Sequence, residues 1–194
     1  MNPIFPAAKL IRKIGTLCFL ALIIFFGQSF TPVLTDKMPI PTGITNMLFY
    51  VQRSLNKNTI IYQLNTNEKN EVDAQEPIRI FWINYEGESD QEPLNTIQKK
   101  FAYGLSFTGV DAESKTFCFN FVSYKSQKLY VIQSPIDKVY RTYSIFNNKL
   151  LTVKKIFIDI EGGTFWYPRV KYIEVSGRDV KTNVEVVERI IISN

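Results

Sequence analysis

The sequence predicts a mainly β protein: an antiparallel β-sandwich or barrel of about nine strands with one packed helix. Three observations carry this. Short apolar or alternating runs recur through residues 46–192, separated by turn-forming Asn, Lys, Gly and Ser. Only one stretch, residues 93–104, shows the three- and four-residue apolar spacing of a helix. Parallel neighbours need long crossovers, and the short gaps between these runs leave no room for helices, so antiparallel pairing is expected.

Taken in order, the chain begins with a segment of different character. Lys9, Arg12 and Lys13 precede an uncharged apolar run over residues 14–26, followed by Gly27, Gln28 and Ser29. Basic, apolar and small residues in that order read as a secretory signal peptide over residues 1–29. The run has 13 residues, short of the roughly 20 needed to cross a bilayer, so cleavage after Ser29 is expected over a retained membrane anchor. Cys18 lacks the small preceding residue of a lipoprotein signal. Residues 30–45 hold Pro32, Pro39, Pro41 and Gly43 and form an irregular lead-in to a single β-rich domain over residues 46–194.

Residues 46–54 and 59–64 predict a hairpin around Leu55, Asn56, Lys57 and Asn58. Residues 65–77 are polar and predict a mobile surface loop. Residues 78–85 are apolar at both alternating positions, as a strand covered on both faces requires. The helix over residues 93–104 starts at Pro93, buries Leu94, Ile97, Phe101 and Leu105, and stops at Gly104. Phe117, Phe119 and Phe121 alternate with Thr116, Cys118 and Asn120 as one half-buried strand. Further strands follow over residues 129–133, 139–146, 150–160, 170–175 and 184–192. Asn147 and Asn148 form a turn, and Gly162 and Gly163 end the longest strand.

Composition excludes more than it offers. Without residues 1–29 the chain has 20 basic against 18 acidic residues, which gives no electrostatic case for nucleic acid. There is no histidine, which removes Ser-His-Asp and Cys-His catalysis and histidine-ligated zinc. Cys118 is the single cysteine past residue 29, so no internal disulfide is expected and a buried, unreactive thiol is. No phosphate loop, nucleophile elbow or calcium loop occurs. Asp159 and Glu161, two apart near Glu174, are the one pairing that suits a carboxylate hydrolase.

Several stretches together resemble a known family. They are residues 49–62, with Phe49, Tyr50, Val51, Gln52 and Arg53 leading to Tyr62; residues 80–86, around Phe81-Trp82-Ile83-Asn84-Tyr85; residues 94–104, ending Lys99-Lys100-Phe101-Ala102-Tyr103-Gly104; and residues 170–174. The pattern is similar to the bacterial domain of unknown function numbered 4833 and spans nearly all of residues 45–192. That family brings no assigned activity. The resemblance implies a shared frame of Arg53, Asn58, Tyr62, Trp82, Lys100 and Tyr103. Within it Asn58 serves the hairpin turn, Trp82 the core and Gly104 the helix stop, whereas packing explains Arg53 and Lys100 poorly.

These readings lead to an exported protein, periplasmic or secreted, that is not an enzyme and needs no cofactor or metal. It is expected to bind a hydrophobic or cell-envelope ligand, or a protein partner as a structural module of the envelope. The candidate binding residues are Arg53, Trp82, Tyr85, Lys100 and Tyr103, with Phe165, Trp166 and Tyr167 as a loop cluster whose large aromatic side chains suit a binding surface.

Overall fold

A computed structural model describes residues 38–192, apart from residues 70, 86, 88–90, 112, 114 and 165–166. The signal-like segment therefore lies outside the described residues, as do Phe165 and Trp166. Among the described residues the fold is mainly β, with eleven strands in one curled, mixed sheet and one short helix. Strands β1 (Met47–Arg53), β2 (Asn56–Leu64), β3 (Ile78–Ile83) and β4 (Gln91–Pro93) form one arm. The helix α1 (Thr96–Phe101) then leads into a second arm of β5 (Leu105–Asp111), β6 (Thr116–Phe121), β7 (Lys128–Gln133) and β8 (Tyr140–Phe146).

The arms meet on the long strand β9 (Lys149–Gly163). Its first residues pair with β8, from Phe146↔Lys149 to Tyr143↔Thr152. Lys155 to Ile158 then pair with Tyr50 to Arg53 of β1. Strand β10 (Pro168–Asp179) runs along β9 from Leu151 to Gly163 and carries β11 (Glu185–Ile191) beyond it. A register shift falls where β9 changes neighbours, between Ser176↔Lys155 and Gly177↔Val153. Bulges of this kind bend strands, and here the bend carries β9 from one arm to the other. Gly177 is required at that point, because a Cβ there would lie 2.3 Å from the Thr152 carbonyl oxygen.

The curl is visible in the core. Phe49 of β1 stacks on Tyr62 of β2 with centroids 4.3 Å apart, and both meet the edge of Phe121 on β6, in the opposite arm. Val51, Ile60, Trp82, Phe119, Val131, Val153 and Val175 complete this inner layer. A smaller cluster of Ile61, Phe81 and Ile83 covers the outer face of the first arm, with Ile44, Met47, Tyr50 and Tyr85 packed against it. The expectation of a strand covered on both faces at residues 78–85 is thereby met.

Other expectations need correction. Pairing is not wholly antiparallel, because β1 runs parallel to β9. No helical crossover is needed, since the whole second arm of sheet separates these two strands in the chain. The first hairpin turns at Ser54 and Leu55, with Arg53 opposite Asn56, so Asn58 belongs to a strand and not to the turn. Pro93 sits in the edge strand β4, where its missing N–H is tolerated, and Asn95 caps the helix instead. Ile97 and Phe101 are 44% and 54% exposed, so α1 does not bury the apolar stripe its spacing suggests. Leu105 lies in β5, a strand whose weak alternation hid it. In the loop after β2, Asn65 Nδ2 donates to the Glu76 carbonyl, Asn67 bonds Glu71, and Thr66 bridges to Val72. Cys118 is half-buried, on the face of β6 opposite the phenylalanines.

Candidate functional site

The inner face of the first arm is apolar along most of its length, but polar at one end. Phe49, Val51 and Arg53 alternate onto that face of β1, and Leu64, Tyr62, Ile60 and Asn58 onto that of β2. Ile60 lies opposite Trp82 on β3, and Trp82 opposite Glu92 on β4. Arg53, Asn58, Trp82, Asn84 and Glu92 thus share one end of one face, beneath the start of α1. They line, with Gln98, a polar pocket of about 310 Å³.

Hydrogen bonds hold this end in place. Asn95 and Gln98 form a capping box, each side chain accepting from the other's backbone N–H at 2.9 Å. Gln98 Oε1 also accepts from Trp82 Nε1 at 3.2 Å, so one amide fixes both helix start and indole. Beyond the helix, Ala102 O accepts from Ser123 Oγ and Gly104 O from Val122 N–H. Tyr62 Oη donates to Tyr103 O at 2.7 Å. Gly104 is needed here because a Cβ would strike the Lys99 carbonyl oxygen. The result fixes Tyr103 edge-on to Trp82, 5.3 Å between centroids.

Arg53 fills the angle between these rings. Its guanidinium carbon lies 5.2 Å from the Trp82 ring centre and 5.8 Å from that of Tyr103, within cation–π range. Its Nη1 donates to Tyr103 Oη at 2.7 Å. Its Nε is shielded from water without an acceptor, and so is the oxygen Oδ1 of Asn58 without a donor. No acidic side chain among the described residues lies within ion-pair distance of Arg53. Burial raises the Tyr103 hydroxyl above its usual pKa, against the opposing pull of Arg53, so the phenol stays protonated near neutrality.

The chain can now be placed by comparison. A model of the domain of unknown function DUF4833 matches residues 49–189. The chain belongs to this family. No curated protein and no solved structure matches it, so the DUF4833 assignment brings no activity with it.

Of the residues expected to bind, this DUF4833 domain brings Arg53, Trp82 and Tyr103 together and separates Tyr85, Lys100 and Tyr167 from them, while Phe165 and Trp166 lie outside the described residues. Tyr85 packs with the outer cluster around Phe81. Lys100 points along the helix surface, over the ring of Phe101. Tyr167 is 84% exposed in the turn between β9 and β10. Asn84, Glu92 and Gln98 were not foreseen, because strand pairing across β2, β3 and β4 brings them in rather than any local motif. The carboxylates lie elsewhere, on the open side of β9 and β10. Glu161 is 3.7 Å from Arg169, and Glu174 is held by Arg189.

Other hollows lie elsewhere among the described residues. An apolar cavity of about 100 Å³ lies inside the curl, bounded by Tyr62, Tyr103, Phe121, Phe146, Ile173 and Ile190. A larger surface hollow of about 470 Å³ lies between Leu64 and Tyr140 at the opposite end of β2. Neither is lined by a water-shielded polar atom lacking a partner.

Proposed function

We propose that this DUF4833 domain is an exported, non-enzymatic binding protein that holds a small anionic ligand in the Arg53 pocket. The observation that carries the reading is Arg53 itself. A guanidinium wedged between two rings, with Nε shut from water and no carboxylate among the described residues at ion-pair distance, is costly unless an anion completes it. The pocket volume of about 310 Å³ reaches the lower end of the roughly 300–1,000 Å³ usual for small-ligand sites. The apolar cavity, at about 100 Å³, is too small for a lipid-like ligand, so the hydrophobic version of the reading loses support. A protonated phenol beside an arginine, with no histidine in the chain, favours holding a ligand over proton transfer. Export rests on the signal-like order of residues 1–29.

Native mass spectrometry of protein purified from its natural source tests this. An anionic adduct is expected on the wild type, with Arg53→Gln weakening its binding roughly tenfold to a hundredfold, as loss of a charge-assisted hydrogen bond of about 1.5–3 kcal/mol implies. A ligand-free wild type whose pocket resonances ignore both carboxylates and phosphate would sink the proposal. A second reading, a protein-docking module of the cell envelope, is favoured by the exposure of Tyr167 (84%) together with Ile191 and Val187 on β11. Pull-down lost on Tyr167→Ala but kept on Arg53→Gln would select it.

A further inference from the structure

We propose that the ligand of the Arg53 pocket is a zwitterion of about dipeptide size, its carboxylate at Arg53 and its protonated amine at Glu92. This rests on the anion-binding reading above and adds a second pole to it. Glu92 stands on the same sheet face as Trp82, directly across the β3–β4 pairing. It lines the same pocket and forms no ion pair among the described residues. The pocket thus has a cation on β1 and an anion on β4, and the two do not satisfy each other. No ion pair joins Arg53 to Glu92.

The Arg53 guanidinium already lies over the Trp82 ring on β3, and Glu92 stands opposite Trp82 on the neighbouring strand β4, so one strand spacing, roughly 5 Å, lies between the positions of the two charges. That is close to the separation of charges in a short peptide. Asn58 of β2 lines the same pocket, and its Oδ1 has no donor. Rotation about its side-chain bond turns that oxygen to the pocket, where a ligand amide N–H supplies the missing donor. A phosphate or a simple carboxylate offers no such group. Cation, free acceptor and anion match the carboxylate, amide and ammonium of a short peptide.

Isothermal titration of the full chain with L-alanyl-L-alanine, N-acetyl-L-alanyl-L-alanine and inorganic phosphate tests this. The free dipeptide is expected to bind at least tenfold more tightly than its acetylated form, with phosphate weaker than both. Glu92→Gln, a change on an exposed edge strand that spares the core, is expected to erase that preference. Equal affinity for free and acetylated dipeptide, or phosphate matching the dipeptide, overturns the zwitterion while leaving an anion site intact. Binding of none of the three, with Arg53→Gln behaving as the wild type, overturns the anion site as well.

Discussion

Tyr62 and Tyr103 tie the pocket to the core. Tyr62 is fully buried, stacks on Phe49, and spends its hydroxyl on the Tyr103 carbonyl. Tyr62→Phe removes that donor and leaves a shielded carbonyl unpaired, at a cost of about 1–3 kcal/mol. Urea unfolding is expected to show a lower midpoint with an unchanged slope. The same burial, reinforced by nearby Tyr103, pushes the Tyr62 hydroxyl well above its ordinary pKa. An unfolded tyrosine ionises near about pH 10, so above that pH the unfolded chain carries fewer protons than the native one. Stability is therefore full below this pH and falls as pH rises through it. The tyrosinate absorbance that Tyr62→Phe removes is expected to appear together with loss of near-ultraviolet circular dichroism, and Tyr62→Phe is expected to flatten this alkaline limb. A wild-type minus Tyr62→Phe absorbance difference that appears in the folded state would contradict the burial argument.

At the level of elements, β9 decides the architecture. It is long enough to take β8 on one stretch of an edge and β1 on the next, and the shift opposite Ser176 and Gly177 marks the change. Gly177→Ala places a methyl 2.3 Å from the Thr152 carbonyl oxygen, which forces the β9–β10 pairing apart. A loss of about 1–3 kcal/mol is expected. Gly109→Ala on β5 meets nothing within 4 Å and is expected to stay within about 0.5 kcal/mol of the wild type. Matched thermal unfolding of the two variants checks the contrast; similar losses in both would show that glycine content, not the bend, matters. The helix contributes differently. It buries none of its residues, and its task is to hold Gln98 against Trp82.

For the molecule as a whole, the central pairing is also the most distant in sequence. Tyr50 meets Lys155 and Val51 meets Ile156, so this ladder forms only after most of the chain has been ordered. Loop-closure entropy of that kind slows folding, typically to milliseconds or seconds for β-rich domains. Ile156→Ala is expected to speed unfolding with little effect on refolding, a φ-value near 0. Ile61→Val, inside the local β1–β2–β3 meander, is expected to give a higher value. Stopped-flow chevrons distinguish the two; equal values would place β1–β9 pairing early.

Alternation along single strands was legible from sequence. Phe117, Phe119 and Phe121 face inward as their period of two requires, and Asn147 and Asn148 take the positive φ angles, 47° and 62°, that their hairpin turn needs. These are local consequences of backbone geometry, in which side-chain type and position suffice. The same local logic found the helix but misjudged its face, because Leu94, Ile97 and Phe101 keep a helical spacing while only Leu94 is buried. Arg53, Trp82 and Tyr103 stood out as residues, but their meeting did not. It depends on β1, β2, β3 and β4 lying side by side and on α1 folding over their end, and those pairings are set by contacts between distant residues. Sequence alone determined a β-rich chain without histidine and with one cysteine past residue 29. Tertiary structure decided that β1 joins β9 in parallel and that an arginine without an ion-pair partner among the described residues faces a pocket, because long-range register leaves no periodic trace in any one segment.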